Sequence, residues 1–166
     1  MAGERTRTVS WQDPVATAGV GATMSGLDYL RAIAAGRIPM APIQELMGYV
    51  LEEVAEGRAV FAMDPGEHVY NPIATVHGGV AATLLDSAMA CAVHSLLPKG
   101  RGYTTLEIKI NFVRGVTRDT GRVRAFGTIV HQGGRTATAE GRLVDAAGKL
   151  YAHGTTTCLL LGEKAP

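Results

Sequence analysis

From Asn71 to Pro98 the chain reads NPIATVHGGVAATLLDSAMACAVHSLLP, apolar almost throughout, with one carboxylate, Asp86, and no lysine or arginine. The spacing predicts a helix from near Gly79 to Pro98, on the order of 27 Å long at about 1.5 Å per residue. Val80, Ala81, Leu84, Leu85, Ala88, Met89, Ala92, Val93 and Leu96 leave that helix almost no polar side. A helix apolar nearly all round must be covered nearly all round. One sheet covers one face, so a second copy of the chain is the simplest cover for the other.

On either side of this helix the period changes from helical to alternating. YVLEEVAEGRAVFAM, starting at Tyr49, reads as two strands joined by the hairpin dipeptide Glu56-Gly57. After the helix come four runs bounded by Gly, Asp or Pro: Tyr103–Arg114, Gly121–Val130, Arg135–Val144 and Leu150–Leu161. In LEIKINFV the apolar Leu106, Ile108, Ile110 and Phe112 alternate with Glu107, Lys109 and Asn111, as a sheet with one buried face requires. Ahead of Tyr49, residues 1–25 show no sustained periodicity and read as a mobile arm. Ser25 as cap and Gly36 as stop bracket a short helix over Leu27–Ala35, and PIQELMGY suits one more turn after Pro39 and Pro42 break the chain. The prediction is an α+β chain: an arm with a short helix over residues 1–48, then one domain over 49–166. In that domain a small antiparallel sheet holds one long central helix between its early and late strands.

Composition narrows the possible roles. The chain has 166 residues and a formal net charge of +1, which gives no electrostatic footprint for nucleic acid or for a membrane surface. The halves differ: residues 1–98 carry five Lys/Arg against ten Asp/Glu, and residues 99–166 carry eleven against five. A basic second half suits a polyanionic small ligand or the acidic half of another subunit. Cys91 and Cys158 sit in apolar surroundings without metal-ligand spacing, and read as buried thiols in a reducing compartment. The polar opening MAGERTRTVSWQDP has no hydrophobic run of signal-peptide length, so the expected location is cytoplasmic. Asp86 at the centre of the long helix would cost about 2.5–3.5 kcal/mol in a bilayer, which marks a core helix and not an anchor.

The candidate chemistry lies at two points on that helix. His77-Gly78-Gly79 precedes it, and the N–H groups of a first helical turn have no internal partners and carry the positive end of the dipole. Donors aligned on a developing oxyanion are worth about 3–4 kcal/mol in rate. Asp86 follows Gly79 by about two turns and returns to the same face. It has no basic residue within one turn, leaving Thr83, Ser87 or groups from elsewhere to satisfy it. A buried unpaired carboxylate is expensive, and that cost is more readily met at a working site than in scaffold.

These residues resemble a specific family. N-P-x-x-x-V-H-G-G-V-x-x-T-L-L-D-S-A, then T-T-L-E-I-K-I-N-F-V-R and H-x-G-x-R-T-A-x-A-E-G-R-L-V-D-x-x-G-K-L-x-A-H-G, are similar to the hotdog-fold acyl-CoA thioesterases of the phenylacetic acid degradation (PaaI-like) type. The resemblance runs from about Gly57 to Leu161. Two departures stand out: Ala74 occupies a position where glycine is common, and Gly115 one where proline is usual. The resemblance implies a sheet wrapped around the central helix, assembly as a homodimer or homotetramer, and an active site at the subunit interface.

Carried over, the family's scheme makes Asp86 the carboxylate that attacks the thioester carbon or activates a water. Gly78 N–H would polarise the carbonyl, Asn71 would bind water or orient that carbonyl, and His77 would shape the loop. A hydroxyl from the partner subunit completes the site. Thr105 matches it best by its distance from Phe112, while Thr104 shares the parity of Leu106 and Ile108 and stays open. Gly79, Lys109, Arg114 and Arg135 are candidate contacts for the coenzyme A part of the substrate. No metal or other cofactor is called for, since a thiolate leaves readily. His68, His94, His131 and His153 are too irregularly spaced for a metal site and read as structural or exposed. The expected activity is hydrolysis of a small or aromatic acyl-CoA to free acid and CoA. The rivals are a non-catalytic acyl-CoA-binding module and a dehydratase or hydratase acting on acyl thioesters, which would need a histidine base.

Overall fold

The structure, a computed structural model, describes residues 3–162; the first two and last four residues of the expected arm and domain lie outside the described residues. Three short helices come first: α1 (Pro14–Gly21), α2 (Gly26–Ala34) and α3 (Pro42–Met47). Ser25 caps α2, as expected. The arm holds more helix than its lack of periodicity suggests, with Asp13 capping α1 by accepting from Val15 N and Ala16 N. No residue of α1 is buried, which is why no apolar pattern marks it in the sequence.

The hairpin β1 (Tyr49–Ala55) and β2 (Arg58–Met63) follows, then the long helix α4 (Gly78–His94). The late strands are β3 (Gly102–Phe112), β4 (Val123–Gln132), β5 (Thr136–Asp145) and β6 (Leu150–Leu161). All pairings are antiparallel, in the order β1-β2-β4-β5-β6-β3. The sheet curls around α4 in the hotdog arrangement. Contact is closest at Gly127 on β4, where a Cβ would come within 2.1 Å of the Ala88 carbonyl oxygen, so only glycine lets the helix backbone sit this close. The helix stops four residues before the predicted Pro98. Ser95 Oγ donates to Ala92 O at 2.7 Å and accepts from Gly57 N at 2.8 Å, tying the helix end to the β1–β2 turn.

Part of the cover for the outer face of α4 comes from the chain itself. Helix α2 crosses its carboxyl end, with Gly26 N donating to Leu97 O at 2.9 Å. A Cβ at Gly26 would lie 1.9 Å from His94 O, so this crossing also depends on the absence of a side chain. Toward the amino end, Gly79 is exposed and Ala82, Thr83, Asp86 and Ser87 are half-buried.

Strand β3 departs from its expected burial. Its alternation predicts one buried apolar face, yet Leu106 is 57% and Phe112 59% exposed, because β3 is an edge strand paired only to β6. A bulge also falls between Thr105 and Glu107. Before it Thr105 pairs with the buried Cys158; after it Ile108 pairs with the buried Thr156. One extra residue reverses the alternation, so Thr105 and not Thr104 shares the helix-side face with Ile108.

The basic second half finds much of its acidic complement within the chain. Arg122 meets Asp64 at 2.6 Å, and Arg124 meets Glu52 at 2.5 Å. The hydrogen bond from Arg124 holds the Glu52 carboxyl below its ordinary range.

Candidate active site

The amino end of α4 is built by the loop before it. Asn71 Oδ1 accepts from Ile73 N at 3.0 Å and Thr75 N at 3.2 Å, and its Nδ2 donates to Thr75 Oγ1 at 2.9 Å. The side chain expected to hold water or the substrate carbonyl thus folds the turn, with one of its two Nδ2 hydrogens not used there. Within that turn Ala74 has φ 60°, the left-handed region, which explains why glycine is common there. His77 caps the helix: its Nδ1 accepts from Gly79 N at 2.9 Å. That bond engages the Gly79 N–H and places any proton of a neutral ring on Nε2. Gly78 is the first helical residue, and among the described residues its N–H has no acceptor. It lines a cavity of about 320 Å³ with Phe112 and Arg114.

Two turns further on, Asp86 lines a different cavity, of about 660 Å³. Thr105 Oγ1 donates to Asp86 Oδ1 at 3.0 Å, from the same chain and not from a partner. Among the described residues Asp86 has no ion pair, and Oδ2 accepts no hydrogen bond. Cys91 also lines this cavity; burial pushes its thiol up to about 12, so it stays protonated at neutral pH. His94, read from sequence as structural or exposed, stands in the same wall, and burial lowers its pKa. The spacing Asp86, Ala90, His94 is one helix face, a signal the sequence did contain. The remainder of the wall comes from α1, α2 and α3, through residues such as Thr17, Tyr29 and Gln44, and no periodicity could have announced it.

The expected site residues therefore separate into two groups. Asp86 and Thr105 stand together; Gly78, His77 and Asn71 stand together; eight residues of helix, about 12 Å, lie between the two groups. A carboxylate and an oxyanion donor that far apart do not act on the same carbonyl, so one chain by itself does not bring the two groups onto one thioester. Arg114 is beside Gly78, with Nη1 donating to Leu150 O at 2.5 Å. Lys109 and Arg135 are exposed and line neither cavity.

A carboxylate over a pocket, a helix amino terminus with an unspent donor and a six-stranded sheet around one helix define a hotdog-fold hydrolase of thioesters. Residues 74–152 match the model of the thioesterase superfamily. The chain belongs to this superfamily, and its relatives include proteins of the PaaI type. It is 28% identical over 108 residues, 65% of this chain and 86% of the other, to the 1,4-dihydroxy-2-naphthoyl-CoA hydrolase of Listeria monocytogenes. Among solved structures it resembles a mutant of the phenylacetic acid degradation protein PaaI from Thermus thermophilus. That match has a TM-score of 0.65 at 31% identity and covers 72% of this chain and 98% of that one. A phenylacetic acid degradation-related protein of Ralstonia eutropha superposes with a TM-score of 0.71 at 26% identity, covering 79% and 98%.

Proposed function

We propose that this protein hydrolyses the thioester of a small or aromatic acyl-CoA to the free acid and CoA, with Asp86 as the reacting carboxylate. The observation that carries the proposal is Asp86 itself: half-buried in a cavity wall, held at one oxygen by Thr105, and paired with no cation among the described residues. Its free oxygen either adds to the thioester carbon, giving a mixed anhydride that water then cleaves, or takes a proton from the water that adds. In both routes the carbonyl electrons pass to oxygen and return as the carbon–sulfur bond breaks. CoA leaves as the thiolate and water supplies the new carboxylate oxygen.

Gly78 N–H is the donor suited to that oxyanion. Since one chain keeps Gly78 and Asp86 in separate cavities, each complete site takes Gly78 from one copy and Asp86 from another. The edge of β3, with Leu106, Ile108, Phe112 and Val113 exposed, suits the contact between copies, as a dimer or a dimer of dimers. Arg114, which lines the Gly78 cavity, suits a CoA phosphate; Lys109 and Arg135 line neither cavity, and no geometry supports them as contacts. Engagement of His77 Nδ1 as a helix cap counts against the dehydratase reading, which needs that ring as a base. The location in keeping with such a substrate is the cytoplasm; no helix among the described residues is long and apolar enough to cross a membrane.

The test is thiol release from a panel of short, aromatic, medium and long acyl-CoAs by the native chain and Asp86→Asn. The native chain is expected to turn over at least one aromatic or short substrate, and the variant to lose on the order of a thousandfold or more. Tight acyl-CoA binding without free CoA would favour the binding-module reading instead.

A further inference from the structure

The middle strands turn one face to α4 and the other away from it. Gly127 on β4 and Gly141 on β5 are on the helix side: a Cβ at the first would meet Ala88 O at 2.1 Å, and at the second Met89 Cγ at 2.9 Å. Side chains alternate along a strand, so Phe126, Thr128, Glu140 and Arg142 face outward. There they line a cavity of about 660 Å³, together with Arg58 from β2 and His153 from β6. It is as large as the cavity beside Asp86 and lies on the opposite side of the sheet. Small-molecule sites span about 300–1,000 Å³, so the volume suits an organic ligand. We infer that this outer cavity is a binding site for a small anion carrying a diphosphate group, bridged by Arg58 and Arg142.

Positive charge is left open here, unlike elsewhere on the sheet. Arg124, the outward position before Phe126 on β4, is taken up by Glu52, and Arg122 by Asp64. Arg142 stands across from Phe126 on one side and His153 on the other, with no carboxylate opposite it. Among the described residues it makes no ion pair. Arg58 has an exposed pair with Glu53 at 3.2 Å, a kind of contact that contributes little. Both guanidinium carbons instead lie over the Phe126 ring, Arg58 at 5.7 Å and Arg142 at 5.6 Å from its centroid. Attraction to a ring face holds a guanidinium without spending its N–H donors. Two forks of donors are thereby held beside one ring, and each fork suits the paired oxygens of a phosphate. A single phosphate satisfies one fork, whereas a diphosphate satisfies both. Glu140 is the only carboxylate in the lining among the described residues, so the two arginines leave the cavity net positive. The site uses no residue placed at Gly78 or Asp86, and it stands or falls independently of the thioesterase reading.

The experiment is isothermal titration calorimetry with pyrophosphate and with inorganic phosphate at one ionic strength, on the native chain and four variants. Arg142→Gln and Arg58→Gln each remove one fork. Arg114→Gln removes the arginine of the Gly78 cavity, and Arg118→Gln removes the same charge from a position that lines none of these cavities. All four arginines are exposed, so none of the substitutions disturbs the core. The native chain is expected to bind pyrophosphate at least tenfold more tightly than phosphate. Arg142→Gln and Arg58→Gln should each bring pyrophosphate down to the affinity of phosphate, with Arg114→Gln and Arg118→Gln within twofold of native. No binding of millimolar pyrophosphate by the native chain, or equal affinity for the two anions, overturns the inference. So does a loss in Arg114→Gln or Arg118→Gln as large as that in Arg142→Gln, which would place the anion at the Gly78 cavity or reduce its binding to net charge.

Discussion

The two ends of the chemistry on α4 are built in opposite ways. At the amino end, most polar groups are spent on structure: Asn71 folds its turn, His77 caps the helix, Gly79 N–H is taken, and among the described residues Gly78 N–H is left over. At the middle, Asp86 receives a single bond from Thr105 and faces a cavity twice as large, walled by aromatic rings. The amino end is a rigid donor and the middle an under-satisfied acceptor. Their separation along one rigid rod is the ground for the proposal that a single chain supplies each role to a different site.

Substitutions can break or sharpen that contrast. After the loss of the Asp86 carboxylate itself, the largest effect is expected from Gly78→Pro, which deletes the spare N–H at a first helical position where proline is otherwise well accepted. His77, with ψ 136°, already has the extended backbone a following proline requires. Thiol release should fall about a hundred- to a thousandfold while the far-ultraviolet circular dichroism spectrum is unchanged. At the other end, Thr105→Val removes the one hydrogen bond to Asp86 and should lower kcat/KM about tenfold. Thr104→Val should cost less, and equal losses would mean that the bulge does not choose between the two hydroxyls.

That choice shows where sequence reading reaches its limit. The six strands and the central helix are legible because burial imposes a period, and the His77-Gly78 helix start because a helix start imposes its cap; Asp86 stands out for lacking a nearby cation, and Asn71 is reached only through the family resemblance. The bulge at Leu106 is not, since an extra residue leaves the alternating pattern of LEIKINFV intact while reversing the face it serves. The exposure of Leu106 and Phe112 is hidden for a related reason: period reveals which residues share a face, not whether that face is covered within one chain. The turn-folding role of Asn71 is hidden too, because an amide that binds a ligand and one that folds a turn look alike in sequence. Helix α1 leaves no periodic trace, having nothing buried to create one; its only mark in the sequence is the Asp13-Pro14 start.

Two smaller effects separate the regions by stability. Burial against Tyr29 and Tyr103 keeps the His94 pKa below its ordinary value. The unfolded chain therefore binds a proton there more readily than the folded one, so stability falls as pH drops through about 6.5 toward the folded pKa. His94→Gln should flatten that fall between about pH 7 and 5, measured as urea midpoints across the range. At the amino end, Ala74→Gly should relieve the left-handed backbone and raise stability by about 0.5–1 kcal/mol, read as a higher urea midpoint.

The central claim, that Gly78 and Asp86 act on one thioester from two different copies, is tested most directly by mixing two dead variants. Asp86→Asn and Gly78→Pro, unfolded together and refolded at equal ratio, should recover about a quarter of native thiol release. Half of randomly paired dimers are mixed, and each mixed dimer regains one intact site of two. Activity no higher than that of the two variants refolded separately would contradict the account.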